Sequence, residues 1–168
     1  MSDTDGEALD PETEEAAEKT VPQACFVDTN VLVYAASSGA PLHQRASGEL
    51  QRRSEAGQEL WVSRQVLREY LATLSRPQTF AKPRPVRELI GDIRYFLSHF
   101  QLAEEGPEVT EKLLELIEKI EIGGKHVHDA NVVATMLANG ISVLLTHNVE
   151  DFVRFGGLIE VAPLEGEP

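Results

Sequence analysis

The residues of this 168-residue sequence that are equipped for chemistry fall into four short groups. Asp28-Thr29-Asn30 directly follows the apolar run 24–27, and an acid at the end of a buried strand costs desolvation unless it is paired, hydrogen-bonded or bound to a cation. A helix N-cap accounts for one of these three residues and leaves two unexplained. Glu69 stands in Val66-Leu67-Arg68-Glu69-Tyr70-Leu71, beside an apolar face marked by Val66, Leu67, Tyr70, Leu71 and Leu74. Alone, it reads as a solvated boundary residue. Asp129 shares one helical face with Val132, Val133, Met136 and Leu137. The helix dipole accounts for an acid in a first turn, but not for its place on the core-facing side. The fourth group, Thr146-His147-Asn148-Val149-Glu150-Asp151, follows the apolar run 141–145, where Thr146 or Asn148 also suits a cap or a turn.

Gathered in one pocket, these carboxylates would raise one another's pKa unless neutralised. A hard divalent cation resolves that conflict, and oxygen ligands favour magnesium or manganese over zinc. The matching reaction is hydrolysis of a phosphodiester, where metal ions lower the pKa of the attacking water and stabilise charge on the phosphate and leaving oxygen.

The elements that must position these groups alternate. Short apolar runs at 24–27, 60–62, 141–145 and 158–161 predict strands. Between them the periodicity predicts helices: one opening at 31–34, then 43–56, 64–75 (stopped by Pro77), 85–100, 107 to the Gly123-Gly124 stop, 128–138 and 149–155. In the 85–100 helix, Val86, Leu89, Ile90, Ile93 and Leu97 recur at helical spacing. Strands that are apolar on both faces and separated by helices predict an α/β fold with a parallel sheet covered on both sides. Ligands in such sheets bind beyond the carboxyl ends of the strands, near a switch in strand order. All four polar groups are expected there or on the helices beside it.

Charge and composition narrow the class. The net charge is -13, with eight acids against one lysine in residues 1–22, ten basic against six acidic side chains in 45–94, and four against thirteen in 95–168. The acidic balance argues against non-specific nucleic-acid binding by the whole surface, while leaving a local basic stripe at 45–94. Residues 1–22 lack apolar periodicity and repel themselves, which predicts a disordered acidic tail; the folded domain is expected at 23–164, with 165–168 a C-terminal tail. The acidic N-terminus lacks the apolar stretch of a secretory signal, no run approaches the length of a membrane helix, and the single cysteine, Cys25, excludes a disulfide framework. A cytoplasmic location is the expectation. Cys25 is expected to serve packing, and Trp61 the core or a dimer contact. With 6% aromatic residues, stacking is not expected to dominate any nucleic-acid recognition.

Together the motifs Phe26-Val27-Asp28-Thr29-Asn30-Val31-Leu32, Val66-Leu67-Arg68-Glu69-Tyr70 with Leu74-Ser75-Arg76-Pro77, His128-Asp129-Ala130 and Leu145-Thr146-His147-Asn148 through Asp151-Phe152 give the chain a family likeness. It resembles the PIN-domain nucleases, and most closely the VapC-type ribonuclease toxins of bacterial toxin–antitoxin modules, over residues 24–164. The resemblance implies a three-layer α/β/α sandwich around a central parallel sheet, with an acidic pocket for magnesium or manganese. It makes Asp28, Glu69 and Asp129 the metal-binding acids, with Asn30 and Thr146 bracing the pocket. Many PIN domains carry a further acid at the position of Asn148; here Asp151 is expected to supply a carboxylate or a water-mediated contact, which leaves one or two metals open. The resemblance also implies an RNA substrate, a homodimer and a cognate antitoxin protein. Arg64, Arg68 and Arg76 are the expected RNA contacts in the basic segment, for which the tail 1–22 would compete.

Other readings fit less of the sequence. His126-Val127-His128-Asp129 suggests a histidine-metal hydrolase, but Ala130 and Asn131 follow where that pattern needs a further histidine. A phosphoacceptor receiver would need an acidic pair after its first strand and a lysine after its last. Gly123-Gly124-Lys125-His126 lacks the spacing of a dinucleotide or phosphate loop. A PIN-fold RNA-processing nuclease and a catalytically inactive RNA-binding scaffold stay open as alternatives.

Overall fold

Cys25–Val27 form strand β1, with none of the three side chains reaching solvent. In the computed structural model, which describes residues 23–164, this run is the centre of a five-stranded, all-parallel sheet. The tail predicted at 1–22 and residues 165–168 lie outside the described residues. After β1 come α1 (Thr29–Ala35), α2 (His43–Glu55), β2 (Leu60–Ser63), α3 (Arg64–Leu74), α4 (Val86–His99) and β3 (Gln101–Ala103). The second half holds α5 (Pro107–Ile120), α6 (His126–Ala138), β4 (Val143–Thr146), α7 (Val149–Phe152), a single 3-10 turn and β5 (Glu160–Pro163).

The strand order is β3-β2-β1-β4-β5. The chain moves outward from β1 through β2 to β3, then crosses to β4 on the other side of β1. Right-handed crossovers therefore place α1–α4 on one face and α5–α7 on the other. The packing follows: α1 meets α2 and α3, α3 meets α4, while α5 packs on α6 and α6 on α7. This is the predicted α/β/α sandwich. The switch in strand order falls between β1 and β4, whose carboxyl ends carry Asp28 and Thr146.

Several elements depart from expectation for identifiable reasons. Strand β3 was not predicted; its three residues run from exposed Gln101 to buried Ala103 at a sheet edge and leave no apolar run to read. Helix α6 begins at His126 rather than 128, so both histidines lie inside it. The last strand sits at Glu160–Pro163 rather than 158–161, and its proline, which lacks an N–H, is tolerated because the strand is an edge. Helix α4 buries Leu89 and Phe96, but Val86, Ile90 and Leu97 face solvent. Cys25 is buried in packing, its thiol pushed up to about 11 by desolvation, and Trp61 is half-buried against the core.

Candidate active site

Asp28 is the residue at which β1 becomes α1. It caps the helix by accepting the Thr29 N–H at 2.8 Å through Oδ1. Its Oδ2 accepts the Thr146 hydroxyl at 2.7 Å and the Asn30 side-chain amide at 2.8 Å. Capping and site formation are thus performed by one buried side chain. Asn30 is the brace: its Nδ2 also reaches Thr146 Oγ1 at 3.3 Å, and its Oδ1 accepts the His147 N–H at 2.9 Å. Thr146 is fully buried and in turn accepts the Asn148 N–H at 3.0 Å. Asn148 contributes here through its backbone, and its side chain is exposed. Burial pushes the Asp28 carboxyl above its ordinary value, with the charge of Glu69 adding to the rise, against the opposing hydrogen bonds of Thr146, Thr29 and Asn30.

Glu69 reaches the same end of the sheet from α3. Its Oε2 accepts the Thr29 hydroxyl at 2.9 Å and its Oε1 the Gln65 amide at 2.8 Å. Gln65 also donates to the His128 carbonyl at 3.3 Å and accepts from Asn131 at 2.7 Å. One side chain therefore ties the helix of Glu69 to the helix of Asp129.

Asp129 lies in the first turn of α6, with Oδ2 3.2 Å from His126 Nδ1. Asp151, from α7, completes a group in which one ligand atom each of His126, Asp129 and Asp151 lies within 4.8 Å of the others. Burial raises the Asp129 carboxyl, and repulsion from Asp151 adds to the rise. The four acids therefore assemble as two linked pairs, Asp28 with Glu69 and Asp129 with Asp151. Among the described residues, only the His126–Asp129–Asp151 group is that tight. Asp28 and Glu69 lie outside that group, their oxygens accepting hydrogen bonds from Thr29, Asn30, Thr146 and Gln65. Closely set, mostly oxygen donors of this kind suit a divalent cation.

The expected arginines divide. Arg64 is bound by Glu104 through two hydrogen bonds, at 2.9 and 3.0 Å, and Arg68 lies 3.6 Å from Glu105. Arg76, held by its Nε to the Ala72 carbonyl, lines a cleft of about 410 Å³ together with Thr29, Asn30 and Glu69. The sequence reading missed Gln65, Thr29 as the Glu69 partner, and Asn131. Gln65 stands one helical turn before Glu69, which was the available sign; a lone helical glutamine otherwise reads as surface.

Comparisons with known proteins place the chain. The PIN domain family matches residues 25–158. Ribonuclease VapC48 of Mycobacterium tuberculosis is 25% identical over 141 residues, spanning 83% of this chain and 97% of its own length. Among solved structures, VapBC2 from Rickettsia felis bound to a promoter DNA fragment has a TM-score of 0.63 at 20% identity, covering 84% of this chain and 98% of that one. A toxin–antitoxin complex from Klebsiella pneumoniae has a TM-score of 0.60 at 20% identity, covering 86% of this chain and all of that one. These structural likenesses carry the fold. No helix of the described residues is long and apolar enough to cross a membrane. With a match spanning most of its length, from the first strand to just before the last, the chain belongs to the PIN domain family.

Proposed function

We propose that this PIN-domain chain is a divalent-cation-dependent endoribonuclease that hydrolyses RNA phosphodiester bonds as the toxin of a toxin–antitoxin pair, working in the cytoplasm as a homodimer. The hydrolase reading is supported by two carboxylate pairs, Asp28 with Glu69 and Asp129 with Asp151, near the switch point of a parallel sheet, on a scaffold in which Gln65 ties the helix of Glu69 to that of Asp129. The similarity to a relative named as a ribonuclease, and to a structure described as a toxin–antitoxin complex, supports RNA as substrate and an antitoxin as partner.

Asp28, Glu69, Asp129 and Asp151 are the residues that would hold the cation, and their oxygen donors favour magnesium or manganese. When bound, such an ion lowers the pKa of water and stabilises charge on the phosphate and leaving oxygen. Asn30 and Thr146 hold the Asp28 carboxylate in place, and Thr29 and Gln65 do the same for Glu69. Arg76, in the cleft beside Glu69, attracts the phosphate backbone. Incubating the purified chain with single-stranded RNA tests the reading: cleavage is expected with magnesium or manganese, none with chelator, and a loss on the order of 100-fold or more in Asp129→Ala. Cleavage that survives chelation, or an Asp129→Ala rate equal to wild type, overturns it.

A further inference from the structure

The cleft beside the acids has features that holding a cation does not require. Its volume of about 410 Å³ falls within the roughly 300–1,000 Å³ range of small-ligand sites. Its lining includes Thr29, Asn30 and Glu69, shared with the site, and the apolar Val33, Tyr34 and Phe80. The rings of Tyr34 and Phe80 meet edge to face with centroids 5.9 Å apart, and Tyr34 meets the His147 ring in the same way at 5.5 Å. An edge-to-face pair leaves a ring face for a third planar group. Phe80 is half-buried, in the stretch between α3 and α4. The backbone there is fixed: Gln78 and Ala81 exchange hydrogen bonds, and a Cβ at Gly39 would stand 2.6 Å from the Phe80 carbonyl oxygen, so only glycine permits this approach.

Gln78 supplies the polar element. Its amide nitrogen donates to the Thr73 carbonyl at 2.7 Å and the Arg76 carbonyl at 3.4 Å, which fixes the amide plane and presents Oε1 as an oriented acceptor. A planar apolar platform, one oriented acceptor and a cation (Arg76), all continuous with the phosphodiester site, match the chemistry of a nucleotide whose base is unstacked from its neighbours. We infer that this cleft seats one unstacked base of the RNA next to the bond to be cut, with Phe80 as the stacking platform and Gln78 as the residue that reads the base edge. The inference deepens the ribonuclease reading and rests on it. The low aromatic content of the chain argues against a stacking surface of many rings, and one ring beside the acids suffices here.

The test uses the full chain with its divalent cation and a pool of short single-stranded RNAs randomised in sequence, with the cleaved ends sequenced. Wild type is expected to show a base preference at one position next to the cut. Phe80→Ala should raise KM about 5- to 150-fold, the range found for removing one base-stacking contact, and flatten the preference, while Phe80→Tyr preserves both. Gln78→Ala should change which base is favoured while leaving the cation-induced rise in melting temperature intact. Gly39→Ala, whose added Cβ meets only the Phe80 backbone, should reproduce the Phe80→Ala effect by displacing that backbone. Should Phe80→Ala fail to fold, Gln78→Ala and Gly39→Ala decide. Unchanged preference and KM in folded variants that still cleave overturn the base pocket alone. A wild-type chain that cleaves no member of the pool overturns the ribonuclease reading, and the pocket with it.

Discussion

Asp28 is held in an environment that disfavours its charge, since burial raises its carboxyl more than three hydrogen-bond donors lower it. Asp129 is raised as well, by burial and by Asp151. A carboxyl whose folded pKa lies above its unfolded one binds its proton more tightly in the folded state. Its contribution to stability is therefore greatest below the ordinary value of 3.8 and is lost as pH climbs through the raised range. A bound divalent cation acts oppositely, because it needs both groups ionised. The rise in melting temperature given by saturating magnesium or manganese should therefore be large at about pH 8 and fade as pH falls into the raised range. A rise of constant size down to about pH 4 would contradict this. In Asp28→Asn that rise should shrink and cleavage should fall about 100-fold or more. Stability in chelator should change little, because relief of the buried charge offsets the new contact between two amide donors, the variant's and that of Asn30.

At the scale of elements, the site depends on α3 and α6 meeting over the carboxyl ends of β1 and β4, and Gln65 is the polar link between them. Gln65→Leu keeps the volume but removes a donor from Glu69 and from the His128 carbonyl and an acceptor from Asn131. It is expected to lower stability by about 1–3 kcal/mol in a denaturant titration and to weaken cation binding at least several-fold by calorimetry. Wild-type cation affinity in that variant would mean that the two acidic pairs act separately. This link was not readable in the sequence, whereas Asp28, Asn30, Thr146, Asp129 and Asp151 were. Those five stand where a polar residue breaks a strongly apolar pattern, at the end of a buried strand, on the core side of a helix, or in the polar run just past a strand. Gln65 breaks no such pattern, and its partners on α6 come from another part of the chain; Thr29 stands in the polar run after β1, but its partner Glu69 lies 40 residues away. The same distinction separates the strands. β1, β2 and β4 are buried on both faces and spell themselves as apolar runs, while edge strand β3 owes its existence to its pairing with β2.

Over the whole molecule, folding undoes part of the charge segregation of the sequence. Arg64 and Arg68 are met by Glu104 and Glu105 from the acidic half, and Arg52 and Arg53 by Glu49, which leaves Arg76 as the expected arginine in the cleft. What folding does not absorb is apolar. Val86, Ile90 and Leu97 on α4 project from one side of the helix at 65%, 44% and 48% exposure, with half-buried Ile93 between them. Their spacing puts all four within one narrow stripe, while Leu89 and Phe96, on the adjoining face, meet the core. An uncovered aliphatic stripe on a regular helix is the kind of surface a second copy covers, and it explains why the pattern of α4 is wider than its own core demands. Ile90→Glu places a charge in the middle of the stripe without touching the core. Light scattering should give twice the chain mass for wild type and the chain mass for Ile90→Glu, with the melting temperature of the fold otherwise retained. A wild type that is already monomeric overturns the homodimer, and a dimer that survives the double substitution Ile90→Glu and Leu97→Glu places its contact elsewhere; either leaves this stripe unexplained.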